Sequence, residues 1–202
     1  MKVKPPVAVL WLLVFSLGCS PPPRVAPLSE SSVVLAFGDS LTAGTGAESA
    51  ESYPAVLAEL IGCRVVNAGV PGEESSAALQ RLPAVLQTEK FDLVLLCQGG
   101  NDMLRKQADE VIRRNLDAMV AMARAAGADV ILLGVPRPGV RLKVPSFYQQ
   151  IADKHGIPCD SKTIAQVLAS RSLKSDYVHP NAAGYRRLAE AIAALIRKSQ
   201  GQ

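Results

Sequence analysis

The sequence predicts an α/β protein, a three-layer α/β/α sandwich in which a parallel sheet of five strands lies between helices. Three observations predict it. Short continuous apolar runs of strand length recur five times, amphipathic stretches with three- and four-residue spacing lie between them, and those stretches are long enough for crossovers. With 202 residues, 49% of them hydrophobic, the chain suits one core rather than two.

Taken in order, the N-terminus comes first. Lys2 and Lys4 precede an apolar run from Val7 to Leu17 that is too short to span a bilayer comfortably, the pattern of an export signal over residues 1–18. Ser16-Leu17-Gly18-Cys19 resembles a bacterial lipobox, in which the cysteine is acylated and becomes the mature N-terminus. Ser16 and Leu17 stand in the reverse of the usual order, so an ordinary secreted protein or an uncleaved anchor is the competing reading. The expectation is an exported protein, lipid-anchored through Cys19 to the periplasmic or outer-membrane face of a bacterial membrane. Residues 19–32 are rich in Pro and Ser, which predicts a stiff tether, with the folded domain running from Val33 to residue 199.

Val33-Val34-Leu35-Ala36-Phe37, closed by Gly38, reads as a strand covered on both faces. Similar runs follow at Arg64–Asn67, Leu93–Cys97 and Val130–Gly134, and a weaker one at Ile157–Cys159. Helices are predicted over Tyr53–Ile61, where Pro54 suits a first turn, over Ser75–Leu86, and over Ala108–Ala126. The clearest is Asn181–Lys198, with Ala182, Tyr185, Leu188, Ala189, Ile192, Leu195 and Ile196 on one stripe and Arg186, Arg187, Glu190 and Arg197 outside it.

Charge and cysteine content exclude several function classes. The formal net charge is +4, and loss of Lys2 and Lys4 leaves +2, too little to imply a polyanion partner. Aromatic residues are sparse and no Lys/Arg run is interleaved with them, so nucleic acid is not expected. Cys63, Cys97 and Cys159 are odd in number and sit beside apolar runs; buried free thiols are the preferred reading, with one disulfide left open. Two distant histidines and no C-x-x-C or H-x-x-x-H spacing leave no ligand set for a metal. No cofactor is expected, and a monomer is.

In a parallel sheet the ligand crevice lies outside the carboxyl ends of the strands, so the residues just after each apolar run are the candidates. Gly38-Asp39-Ser40-Leu41 follows the first strand. A Ser on such a turn can present its hydroxyl to the crevice and its own N–H to an oxyanion; a plain capped turn is the alternative. Glycine does not flank Ser40 as a G-x-S-x-G elbow requires, and no Gly-Lys-[Ser/Thr] makes a phosphate loop. Gly69, after the second strand, can offer a backbone N–H, and Asn101, after the third, an uncharged carboxamide; both also fit ordinary turns. Asp176 and His179 stand three apart before the last helix, where the carboxylate can reach the ring nitrogen facing away from a substrate. A helix cap and a surface histidine would produce the same letters. His155 reads as an unremarkable residue beside the C-cap Gly156.

Together these segments are far more specific than any one of them. Gly38-Asp39-Ser40-Leu41, Gly69, Gly100-Asn101-Asp102 and Asp176-x-x-His179-Pro180 resemble the four blocks of GDSL (SGNH) hydrolases, over about Val33 to Lys198. The Asn-Ala-Gly, Gly-Gly-Asn-Asp and His-Pro-Asn-x-x-Gly contexts look most like the bacterial acyl-CoA thioesterase I, lysophospholipase and arylesterase branch. The resemblance implies a flavodoxin-like sheet, no metal, and an acyl-serine intermediate. It casts Ser40 as nucleophile, His179 as base and Asp176 as its support, and it makes Ser40, Gly69 and Asn101 the oxyanion donors. The implied substrate is a small acyl ester or thioester. A carbohydrate O-acetyl esterase and a non-catalytic binding lipoprotein are the alternatives. Apolar and small residues of 70–76 and 103–106 and the Pro-rich loop 135–145 are candidates to line an acyl groove.

Overall fold

A computed structural model describes residues 24–201; the expected export signal and Cys19 lie outside the described residues. Five strands, β1 (Val33–Gly38), β2 (Arg64–Gly69), β3 (Leu93–Cys97), β4 (Asp129–Leu133) and β5 (Cys159–Asp160), form one sheet in the order β2-β1-β3-β4-β5. Every pairing is parallel. This is the flavodoxin-like order, whose direction of winding reverses between β1 and β3. Side chains of β1 and β3 are almost wholly buried, as expected for strands covered on both faces. Edge strand β2 leaves Arg64 and Asn67 exposed.

Eight α-helices accompany the strands: α1 (Ser40–Ala43), α2 (Tyr53–Ile61), α3 (Ser75–Leu86), α4 (Gly100–Leu104), α5 (Asp109–Ala125) and α6 (Phe147–His155) between them, and α7 (Thr163–Ala169) and α8 (Ala182–Ser199) after β5. Packing of α2 and α7 against α8, and of α3 and α6 against α5, makes the two outer layers. The long helices arise from the periodicity of their apolar residues. In α8, Tyr185, Leu188, Ala189, Ile192 and Ile196 are buried in one stripe, and burial of each large side chain is worth about 1.5–3 kcal/mol. Asn181 starts this helix by accepting the N–H of Gly184 at 3.0 Å, which satisfies one of the otherwise unpaired first-turn donors.

The expected tether needs correction over its second half. Val25 is 3% exposed within the core, donates to Ser199 O at 3.2 Å, and is followed by Ala26 N–H on Asp129 Oδ2 at 2.7 Å. Gln200 Nε2 closes the arrangement on Ala26 O at 3.0 Å, and Leu28 packs on the same core. Among the described residues the folded unit therefore reaches back to Val25 and does not begin at Val33. A Pro- and Ser-rich stretch still docks when it carries apolar side chains that the end of α8 can cover, and prolines lower the entropic cost of holding it. The core from Val25 to Ile196 packs on itself, so the described unit from Arg24 carries a core of its own.

Cys63 and Cys97 are buried thiols and Cys159 is half-buried; all three are free. Burial pushes the Cys159 thiol up to about 12 and the Cys63 and Cys97 thiols also upward, which keeps them unreactive.

Candidate active site

The winding reversal between β1 and β3 opens the crevice, and the first residues beyond both strands fill it. After β1, Asp39 turns the chain and its carboxylate accepts the N–H of Leu41 at 3.0 Å, which begins α1 with Ser40 as its first residue. After β3, α4 brings in Asn101. From the opposite side comes the segment 174–180, pinched by an antiparallel bridge between Lys174 and Pro180 and by the Ser175 N–H on His179 O at 3.0 Å.

That pinch sets the histidine. Asp176 Oδ1 accepts the N–H groups of Val178 at 2.8 Å and His179 at 2.9 Å, while Oδ2 lies 2.8 Å from His179 Nδ1. Nδ1 must carry the proton to make this bond, so Nε2 is left as an acceptor toward Ser40 Oγ at 3.0 Å. Burial pulls the Asp176 carboxyl upward, but the His179 ring and the two backbone N–H groups outweigh it and hold the carboxyl below its ordinary value. The structure thus brings Ser40, His179 and Asp176 into one hydrogen-bonded chain, 139 residues apart in sequence between Ser40 and His179.

Of the three expected oxyanion donors, two sit at the crevice. Ser40 and Asn101 both line it, and no described residue accepts the Ser40 N–H. Asn101 Nδ2 donates to Glu73 O at 3.0 Å and more loosely to Asp39 Oδ2 at 3.3 Å.

Gly69 is not there. Its N–H is spent on Asn67 Oδ1 at 3.0 Å, and a Cβ at this position would fall on the backbone of Thr42 and Ala43, so glycine lets β2 pass close to α1. Gly72 lines the crevice instead. Its φ of +78° and the Glu73 N–H on Val70 O at 3.2 Å make Val70-Pro71-Gly72-Glu73 a type II turn, which requires glycine at the third place. No described residue accepts the Gly72 N–H. The Pro-Gly pair was the sequence signal that marks this turn.

The turn is anchored from beneath. Glu73 takes two bonds from Arg81, each 2.7 Å, and one from Gln98 Nε2 at 2.8 Å, while Arg81 stacks 4.2 Å over the Phe37 ring. Asp102, buried, accepts the N–H and hydroxyl of Ser75 at 2.8 and 2.5 Å. An acid from α4 thus caps α3 in place of Glu74, which makes no side-chain cap. Asp39 is fully buried between these groups. Burial pushes its carboxyl up to about 7, aided by Asp102 and Glu73 and opposed by the Leu41 N–H and His179.

Ser40 opens on a cleft of about 240 Å³ whose walls are mostly apolar. Gly72, Leu104, Val135, Pro136, Pro138 and Leu142 come from the three segments expected to line it, whereas Leu41, Leu168 and Val178 were not read as lining residues. Val140, at the tip of the loop, stands outside the cleft and is fully exposed. His155, as expected, is remote from the cleft: it closes α6 beside Gly156 and pairs with Asp117 at 2.8 Å. Among the described residues no group of three or more His, Cys, Asp or Glu forms a metal-binding cluster.

This architecture recurs in known proteins. Residues 36–187 match the GDSL-like Lipase/Acylhydrolase family. The chain is 31% identical to Esterase TesA of Pseudomonas aeruginosa over 188 residues, covering 87% of this chain and 92% of that one. It is 29% identical to the Thioesterase 1/protease 1/lysophospholipase L1 of Escherichia coli strain K12 over 161 residues, or 76% and 77% of the two chains. A crystal structure of TesA superposes with a TM-score of 0.74 at 30% identity, covering 83% of this chain and 99% of that chain. The chain belongs to the GDSL-like lipase/acylhydrolase family and is a serine esterase of that type.

Proposed function

We propose that the protein hydrolyses carboxylic esters or thioesters of single acyl chains through an acyl-Ser40 intermediate. The observation that carries this reading is the Asp176–His179–Ser40 chain at the mouth of an apolar cleft. His179 Nε2 takes the Ser40 proton as Oγ attacks the acyl carbonyl, then delivers it to the leaving oxygen or sulfur. Water repeats the sequence on the acyl-enzyme. The oxyanion forms between the N–H groups of Ser40 and Gly72 and the Asn101 carboxamide, which turns from its looser partner Asp39 toward the developing charge. Asp176 stabilises the imidazolium and keeps the tautomer.

Apolar walls favour an acyl chain over an acetylated sugar, whose ring would find few hydrogen-bonding groups there. Hydrolysis of p-nitrophenyl esters of increasing chain length by the unit starting at Arg24 tests the reading. Turnover is expected to persist or rise beyond acetate, to fall by about 10⁴-fold or more in Ser40→Ala, and by about 10²–10³-fold in Asn101→Ala. Activity confined to acetate would point to an O-acetyl esterase, and equal rates with and without Ser40 would remove the serine mechanism.

Export and acylation of Cys19 complete the proposal, because an anchored esterase meets acyl lipids at the surface that holds it. Fatty-acid labelling of the full chain in a bacterial host is expected to vanish in Cys19→Ser; labelling that persists would remove the anchor.

A further inference from the structure

Four of the five large apolar side chains exposed among the described residues border the cleft. Val140 is 106% exposed, Tyr177 90%, Leu104 49% and Val70 38%; only Leu60 lies elsewhere. Leu104 and Tyr177 line the cleft themselves, Val70 opens the turn that carries Gly72, and Val140 sits between the lining residues Pro138 and Leu142. An apolar side chain as exposed as Val140 gains nothing from the fold, and several around one opening mark a surface that something covers.

Charge says what covers it. The segments 70–74, 104–108, 136–146 and 170–178 carry seven Lys or Arg and three carboxylates, Glu73, Glu74 and Asp176, which are engaged by Arg81, Arg105 and His179. Residues 24–201 hold twenty Lys or Arg and eighteen Asp or Glu in all, so thirteen and fifteen remain for the rest. The described residues are thus basic around the cleft and slightly acidic elsewhere. Arg105 pairs with Glu74 and Arg137 with Asp109, whereas Lys106, Arg141, Lys143, Arg171 and Lys174 have no carboxylate within 4.0 Å among the described residues. The base of the loop that presents Val140 is pinned as a hairpin by the Arg137 N–H on Lys143 O at 3.0 Å.

We propose that the rim of the cleft is a membrane-docking face, which lies on an anionic lipid surface with Val140 among the headgroups and the unpaired cations on their phosphates. Side chains of this kind combine a shallow apolar insertion with attraction to surface charge. Docked in this way, the cleft opens toward the bilayer, and a single acyl chain passes from lipid to Ser40 without crossing water. That last consequence rests on the esterase reading; the docking does not.

Sedimentation of the unit starting at Arg24 with lipid vesicles, run in the Ser40→Ala background so that no lipid is consumed, tests the proposal. Binding is expected to vesicles of phosphatidylcholine mixed with phosphatidylglycerol and not to phosphatidylcholine alone. Val140→Asp, and separately Arg141→Glu with Lys143→Glu, are expected to weaken it about tenfold or more. With Ser40 intact, both variants should hydrolyse p-nitrophenyl acetate at the native rate, since neither touches the cleft. No binding to the anionic vesicles, equal binding to both vesicle types, or binding unchanged in the variants would overturn it. Failure to hydrolyse with binding intact would instead overturn the esterase reading and leave docking standing.

Discussion

At the scale of the residue, the two acids that bracket Ser40 behave in opposite ways, and each behaviour follows from its surroundings. Asp176 is half-exposed and held by three donors, so it stays ionised and supports His179. Asp39 is buried with two other acids near it, and its carboxyl is pushed up from 3.8 to about 7. An unfolded chain loses that proton near pH 4 while the folded one keeps it to about 7. Stability from this group is therefore complete at the low end of the window and is lost as pH rises through it. Urea unfolding between those pH values should show stability falling with pH in the native protein and a flatter profile in Asp39→Asn; parallel profiles would show that Asp39 carries no such linkage. The acids with lowered values, Asp176 and Asp117, act in the other sense and below this window.

Residue identity was the most legible part of the site. Ser40, Asn101, Asp176 and His179 were readable because each follows a strand or precedes the last helix, where parallel sheets place their ligands. Gly69 was misread because its position at the end of β2 resembles a donor's. Only the structure shows that its N–H is already engaged and that it serves the contact with α1.

At the scale of the element, periodicity located what is long. The expected bounds of α2 and α3 coincide with those observed, and those of α5 and α8 differ by one residue at each end, since sustained apolar spacing belongs to helices of several turns. Helices α1 and α4, of four and five residues, are too short to show a period. α7, with seven, was missed for the same reason, and Leu168 in the cleft wall was missed with it. Val25 escaped because burial of one side chain by a distant helix end leaves no local pattern. Its contribution is measurable: a chain cut at Ser29 loses that burial and three hydrogen bonds, about 2–4 kcal/mol. Compared with the chain beginning at Arg24, its Tm should be lower by about 5–15 °C; equal melting would show that residues 24–28 only rest on the surface.

For the whole molecule, sheet order and charge distribution act together. The order β2-β1-β3-β4-β5 puts the crevice at the reversal between β1 and β3, and loops from there and from both flanks raise an apolar, basic rim around it. Net charge alone, small and positive, concealed this polarity, because the slightly acidic remainder partly offsets the rim. The fold thus gathers the reacting groups, the apolar cleft and the charged surface at one end.

The most direct test of that arrangement is the mass of the protein after exposure to a p-nitrophenyl alkylphosphonate, followed by peptide mapping. Ser40 Oγ should displace p-nitrophenolate and carry the phosphonyl group as the single site of modification, and His179→Ala should label far more slowly. An unmodified protein, a label on another residue, or labelling undiminished in His179→Ala would contradict the assignment of Ser40 as an activated nucleophile.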